Sequence, residues 1–242
     1  TGAVVRKVAL KMLTRAGAQS KNVRDRFRRE AELTSKFEHP GICGVHDFGE
    51  VDGMPYIAMQ YVRGTTLASI VEKARKGSGG GEAGSDTISL AGGGNKGDLE
   101  DVLRLIERAA RALHVAHEAG LVHRDIKPAN IMVTEEGHPV LLDFGLARDV
   151  ESEQQTLTQS GQILGTPAYL APEQIVAARG TVDRRTDVYA LGVTLFECLT
   201  LRRPFDGGSW DQLFHAILDG APPNPRAINP RIPRDLATVI EV

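Results

Sequence analysis

His123-Arg124-Asp125-Ile126-Lys127-Pro128-Ala129-Asn130 decides how this chain is read. It is followed by Ile131-Met132-Val133, a turn at Glu136-Gly137, and Val140-Leu141-Leu142-Asp143-Phe144-Gly145. Two short apolar segments joined by a turn read as a β-hairpin. Asn130 stands at the entry of one strand and Asp143 at the exit of the other, so antiparallel pairing brings them to the same end. Two oxygen ligands converging there suit Mg²⁺, a hard cation that keeps some of its water and adds phosphate oxygens. Asp125 lies on the same loop as Asn130, where it can accept a proton from a hydroxyl nucleophile or orient it.

Upstream of this stretch, Val4 to Leu13 is β-branched and apolar with interspersed cations, which predicts a strand. The spacing of Val23, Phe27, Ala31 and Thr34 predicts a helix over 23–37. Glu30 falls on its apolar face, and two readings stay open. Either the side chain is partly exposed, or it is buried and must be paired. The candidate partner is Lys11, on the preceding strand. Such a pair is worth about 4 kcal/mol at contact with an effective dielectric near 20, and it would fix an ammonium suited to phosphate. Strands are predicted at 45–48 and 56–62, joined by the turn residues Asp52-Gly53.

Between Gly77 and Gly97, nine of 21 residues are glycine and no apolar period appears. This segment reads as a flexible insertion. A helix from Leu99 to Ala119 follows, with Gly120 ending it. Asp187 to Leu199 is apolar nearly all round, the mark of a buried helix. The proline-rich stretch from Pro222 to Pro233 predicts irregular backbone.

Composition bounds these readings. The 242 residues carry 29 Lys+Arg and 31 Asp+Glu, a formal charge of −2. That balance argues against a nucleic-acid binder. The chain is 41% hydrophobic and 25% charged, an ordinary globular mixture. Cys43 and Cys198, its two cysteines, cannot build a disulfide framework, so a reducing, cytoplasmic setting is expected. No run of about 18 apolar residues occurs, so no membrane contact is expected from this segment. The chain begins at Thr1, which is read as a piece of a longer polypeptide that could carry an anchor elsewhere.

The Lys11 strand, the Glu30 helix, the His123-Arg124-Asp125 loop with Asn130, Asp143-Phe144-Gly145 and Ala171-Pro172-Glu173 occur in the order found in protein kinases. The chain resembles that family over almost its whole length. More closely, it resembles the bacterial, eukaryotic-like Ser/Thr kinases. Lys127 after Asp125, and the run Gly165-Thr166-Pro167-Ala168-Tyr169-Leu170-Ala171-Pro172-Glu173, point to serine and threonine rather than tyrosine.

The resemblance implies an α+β, bilobal fold. Residues 1–61 would form part of a strand-rich N-lobe with one helix, and 62–242 the hinge and a mainly helical C-lobe. It also implies transfer of the γ-phosphate of ATP to protein Ser/Thr hydroxyls, with Mg²⁺ on Asn130 and Asp143. Lys11, oriented by Glu30, would hold the α/β-phosphates. Asp125 would be the catalytic base, with Lys127 near the γ-phosphate and Thr166 bonded to both. Ala9 and Met132 would sandwich adenine, Met59 would guard the back of its pocket, and Gln60, Tyr61 and Val62 would form the hinge. Asp187 would hold the Asp125 loop through its amides. Thr158 and Ser160 are the expected autophosphorylation sites, docking on Arg124, with a homodimer as the route in trans.

Two departures stand out. The glycine-rich loop that should precede Lys11 is absent, and the chain ends before a helix whose arginine would pair with Glu173. A domain truncated at both ends, poorly active as this stretch alone, is therefore expected. Ala129 stands where a glutamate often marks an arginine-directed relative. The competing readings are a pseudokinase or nucleotide-binding scaffold, and a small-molecule phosphotransferase. The retained Lys11, Asp125, Asn130 and Asp143 argue against the first, and the 165–173 run against the second. His39, Cys43 and His46 are too few for a zinc site. His114 and His117 read as packing or capping. The basic cluster from Lys21 to Arg29 reads as a solvated helix face.

Overall fold

The computed structural model describes residues 6–77, 97–144 and 167–240. The first sheet holds β1 (Val8–Met12), β2 (Val45–Val51) and β3 (Met54–Gln60), antiparallel in the order β1-β3-β2. Its register sets Ala9 opposite Met59 and Lys11 opposite Ile57. The β2–β3 hairpin turns through Asp52 (φ 51°) and Gly53 (φ 76°). Two successive positive φ angles give the turn that matches strand twist.

Two helices lie between β1 and β2. The short α1 (Arg15–Gln19) is capped by Thr14, whose hydroxyl accepts from the Gly17 amide. Then α2 (Lys21–Thr34) buries Phe27, Glu30, Ala31 and Thr34. It starts two residues earlier and stops three earlier than the periodicity predicts, because Ser35 ends the helix.

Beyond β3 the chain crosses residues 61–63 and enters a mainly helical part. A second sheet, order β4-β5-β6, combines β4 (Gly64–Thr66), β5 (Ile131–Thr134) and β6 (Pro139–Leu141). Gly64 is required here, since a Cβ at that position would lie 2.1 Å from the Val133 carbonyl oxygen. The helix α3 (Leu67–Gly77) is an addition to the sequence reading. Its apolar positions Leu67, Ile70, Val71 and Ala74 do follow the helical period. The glycine-rich run beginning at Gly77 obscured that signal.

Next come α4 (Gly97–Glu118), α5 (Pro172–Ile175), α6 (Arg184–Thr200), α7 (Trp210–Asp219), α8 (Pro225–Ile228) and α9 (Arg234–Ile240). The short α8 interrupts the stretch expected to be irregular. Proline at its first turn is compatible with a helix start. Gly120, at φ 78°, ends α4 as expected. The main core packs α4 (Val102, Ala109, Leu113) against α6 (Leu195, Leu199) and the second sheet (Ile131, Leu141). The buried helix α6 begins earlier than the predicted start at Asp187 and is capped by Asp183. Its Val188 is exposed, at 64%. Among the described residues, no helix is long and apolar enough to cross a membrane.

Candidate active site

Strand alternation in β1 places Ala9 and Lys11 on one face, with Leu10 and Met12 exposed on the other. Lys11 Nζ donates to Glu30 Oε1 at 2.7 Å and lies 3.0 Å from Asp143 Oδ1. Glu30 is therefore buried and paired, which decides between the two readings of its position. Burial opposes the Lys11 ammonium, yet the charges of Glu30 and Asp143 together hold its pKa above the ordinary lysine range. Glu30 is itself pushed up by burial, and Lys11 pulls against that shift. Glu30 Oε2 is buried without a hydrogen-bond partner among the described residues.

The loop 123–130 brings three further groups together. Lys127 Nζ reaches both Asp125 oxygens, at 3.1 and 2.9 Å. Asn130 Nδ2 donates to the Asp125 carbonyl and to Asp125 Oδ2, each at 2.8 Å. Both amide hydrogens of Asn130 are thereby used, leaving its Oδ1 as a ligand atom. With the half-exposed Asp143 carboxylate, this is a hard oxygen donor set that fits Mg²⁺.

A buried carboxylate holds the loop in place. Asp187, fully buried, accepts from the amides of His123 (2.8 Å) and Arg124 (2.7 Å). Its Oδ2 also lies 2.7 Å from His117 Nε2. Gln174 Nε2 donates to the Arg124 carbonyl at 2.9 Å. Arg124 (φ 66°) and Asp143 (φ 51°) both adopt the left-handed backbone region. Non-glycine residues persist there only when their surroundings over-determine them.

The protein kinase domain model matches residues 3–235. The chain belongs to the protein kinase family. Its relatives include the serine/threonine-protein kinase PrkC of Bacillus subtilis, 35% identical over 237 residues that cover 97% of this chain and 33% of PrkC. PknA of Mycobacterium tuberculosis is 35% identical over 243 residues, covering 98% of this chain and 50% of PknA. A probable serine/threonine-protein kinase of Corynebacterium efficiens is 41% identical over 209 residues, covering 84% of this chain and 28% of that protein. The chain thus spans half or less of the length of these relatives. A mutant PknI kinase domain of Mycobacterium tuberculosis superposes with a TM-score of 0.66 at 30% identity, covering 97% of this chain and 74% of that one. These bacterial relatives agree with the resemblance read from the motifs, and the bilobal α+β fold agrees with that solved structure.

In this kinase domain the residues expected around adenine come from both sheets. Ala9 and Met59 are register partners in the first sheet, and Met132 lies in β5 of the second. The Gln60 amide donates to the Gly44 carbonyl at 2.8 Å, anchoring the start of the segment expected to form the hinge. Tyr61 is exposed and carries Lys7 Nζ over its ring at 4.0 Å, a cation–π contact. Burial, reinforced by the Asp143 charge, pushes the Cys43 thiol up to about 11. It stays protonated and faces the Gln60 carbonyl at 3.5 Å. Thr158, Ser160 and Thr166 lie outside the described residues, as does the glycine-rich stretch 78–96.

Two histidines matter more than sequence reasoning allowed. The sequence presents His117 as a packing or capping residue, but it contacts the carboxylate that holds the loop 123–130. His123 is fully buried, with its ring 4.6 Å from that of Phe144, and Phe144 stacks in turn on Phe37. His123 Nδ1 accepts from the Asp125 amide at 3.3 Å, and Nε2 faces the Leu142 carbonyl at 2.9 Å. The neutral tautomer protonated on Nε2 satisfies both. Burial lowers the His123 pKa, against the opposing charges of Asp187, Asp125 and Asp143. The unfolded chain takes up a proton here near pH 6.5 while the folded one does not, so stability falls as pH drops below about 6.5. Denaturant titrations should show His123→Phe losing less stability than wild type between pH 7 and pH 5. The difference should be up to about 1.4 kcal/mol per pH unit. Equal slopes would exclude His123 as a contributor.

Proposed function

We propose that this chain is the catalytic part of an ATP- and Mg²⁺-dependent protein serine/threonine kinase. The observation that carries this reading is Lys11 Nζ held between Glu30 and Asp143, at 2.7 and 3.0 Å. One ammonium bridges the first sheet, α2 and the end of β6. It joins the lobe that would cover the phosphates to the loop that would carry the metal.

In the proposed reaction, Lys11 orients the α/β-phosphates. Asp143 and Asn130 Oδ1 would hold Mg²⁺, whose charge would offset that developing on the phosphates. The substrate Ser or Thr oxygen attacks the γ-phosphorus as the bond to the bridging oxygen of ADP breaks. The hydroxyl proton passes to Asp125. Lys127 neutralises charge beside it, and the family resemblance assigns Thr166 as a hydrogen-bond partner of both. Ala9, Met132, Met59 and the 60–62 hinge enclose adenine. Such a site works mainly by positioning and charge stabilisation.

Regulation is proposed at Thr158 and Ser160, phosphorylated in trans within a homodimer. Arg124 Nε supports this reading. It is buried with no hydrogen-bond partner among the described residues, and a phosphate oxygen would satisfy it. The two cysteines are buried and unpaired, which fits a cytoplasmic location with access to ATP.

The test is transfer of labelled phosphate from ATP to a generic protein substrate by the full-length polypeptide. Label is expected on Ser and Thr, reduced by about 10²-fold or more in Lys11→Met and in Asp143→Ala, since each removes a charge stabiliser. Equal incorporation by wild type and Lys11→Met would overturn the reading.

A further inference from the structure

We propose that Lys7 is a positioning residue for nucleotide binding, acting through its cation–π contact with Tyr61. The inference rests on the phosphotransfer reading above and gives Lys7 a part that none of the kinase motifs assigns it.

The register of the first sheet places this pair. The β1–β3 ladder runs from Met12 opposite Tyr56 to Val8 opposite Gln60. Lys7 and Tyr61 stand one residue beyond that last pair, where β3 has ended and the chain leaves for the helical part. They form a cross-strand pair that side chains continue past the ladder. Side chains at facing positions of an antiparallel pair reach one another directly. Lys7 has the parity of Ala9 and Lys11, and Tyr61 has that of Met59. Ala9, Lys11 and Met59 mark the face expected to meet the nucleotide.

Gln60 shows what the pair adds. Its amide donates to the Gly44 carbonyl at 2.8 Å, and its carbonyl accepts from Cys43 Sγ at 3.5 Å. Gln60 is thereby tied to the segment that precedes β2. One residue on, the tie runs to the opposite neighbour: Lys7 Nζ sits over the Tyr61 ring, 4.0 Å from its centroid. The ring's negative face attracts the ammonium. Both residues are exposed, so this contact is of the weaker, surface kind.

Position gives a weak contact its leverage. Adenine would occupy the gap between Ala9 on β1 and the main chain of 60–62. A side-chain latch across the end of that gap limits how far the two sides part, and a nucleotide held between them leaves less readily. The Asp125 loop takes no part in the latch. Loss of the contact should therefore appear in nucleotide affinity and not in peptide affinity.

The test uses the full-length polypeptide as wild type, Lys7→Met, Lys7→Arg, Tyr61→Leu and Lys7→Met/Tyr61→Leu. The readouts are Kd for a non-hydrolysable ATP analogue with Mg²⁺, KM for a peptide substrate, and the denaturant midpoint. Lys7→Met keeps the apolar stem and removes the charge. It should weaken nucleotide binding about threefold, the scale of an exposed cation–π contact, with peptide KM and midpoint unmoved. Lys7→Arg should bind like wild type, because a guanidinium also stacks on an aromatic face. In the Tyr61→Leu background, Lys7→Met should cost nothing further, since the ring it needs is already gone.

Unchanged nucleotide affinity in Lys7→Met would overturn the proposal. So would an equal loss from Lys7→Met with and without Tyr61, which would mean that the ammonium touches the nucleotide itself. A lowered midpoint with a parallel rise in peptide KM would overturn it too, by marking a merely structural residue. If Tyr61→Leu does not fold, Tyr61→Met takes its place in the cycle. Wild type that binds no nucleotide would remove the phosphotransfer reading and this assignment with it. Wild type that binds and transfers phosphate beside an equally tight Lys7→Met would remove the assignment alone.

Discussion

Asp125→Asn is expected to lower phosphotransfer by about 10³-fold while ATP affinity stays within about twofold, the range seen when a positioned proton acceptor is lost. The two carboxylate oxygens of Asp125 receive Lys127 Nζ, and Oδ2 also receives Asn130 Nδ2 at 2.8 Å. An asparagine oxygen can keep part of that network, so the loop should hold its shape. What disappears is the basic oxygen proposed to take the substrate proton, and a negative charge beside Lys127. Single-turnover transfer at saturating ATP and peptide measures the first effect, and nucleotide titration measures the second. Transfer within tenfold of wild type would show that the proton leaves by another route.

The second large effect is expected at Asp187. Replacing it with leucine keeps the bulk but strands the amides of His123 and Arg124 and the His117 ring, all of which face its carboxylate in the buried core. Each orphaned buried donor costs on the order of 1–3 kcal/mol. Asp187→Leu should therefore destabilise the domain by about 3 kcal/mol or more, judged against that per-donor cost. Asp187→Asn keeps one accepting oxygen but turns an NH₂ group toward the other donor, so an intermediate loss is expected. Denaturant midpoints at constant m-value measure both. Phosphotransfer should fall even where Asp187→Asn remains folded, because Arg124 sits at φ 66° and loses the acceptor that holds it there. An Asp187→Asn protein with full activity would show that the loop keeps its conformation without this carboxylate.

The motifs exposed much of the site. The hairpin pattern brought Asn130 and Asp143 to one end, which follows from short-range periodicity that a string of residues displays directly. Glu30 was ambiguous for the same reason. Its period located it on the apolar face, but only the approach of β1 to α2 shows whether a partner waits there. The helix α3 was missed although its period was present, because a glycine-rich run abuts it. The family resemblance links Asp187 to the Asp125 loop, and its carboxylate accepts from the amides of His123 and Arg124. Its partner His117, 70 residues away, carries no local signal that distinguishes it from a packing histidine.

By itself, the amino-acid sequence determined which chemical groups are available: an ammonium, a loop carboxylate and two further side-chain oxygen donors, in an order shared with protein kinases. It also determined the local elements that present them, because strand and helix periods act over a few residues. Only the tertiary structure decided which buried charges are balanced and by what. Lys11 with Glu30, His117 with Asp187, and Arg75 with Glu197 are separated by 19, 70 and 122 residues. Whether such groups meet depends on how whole helices and sheets pack, and the cost of burying a charge is fixed only once that packing has excluded water.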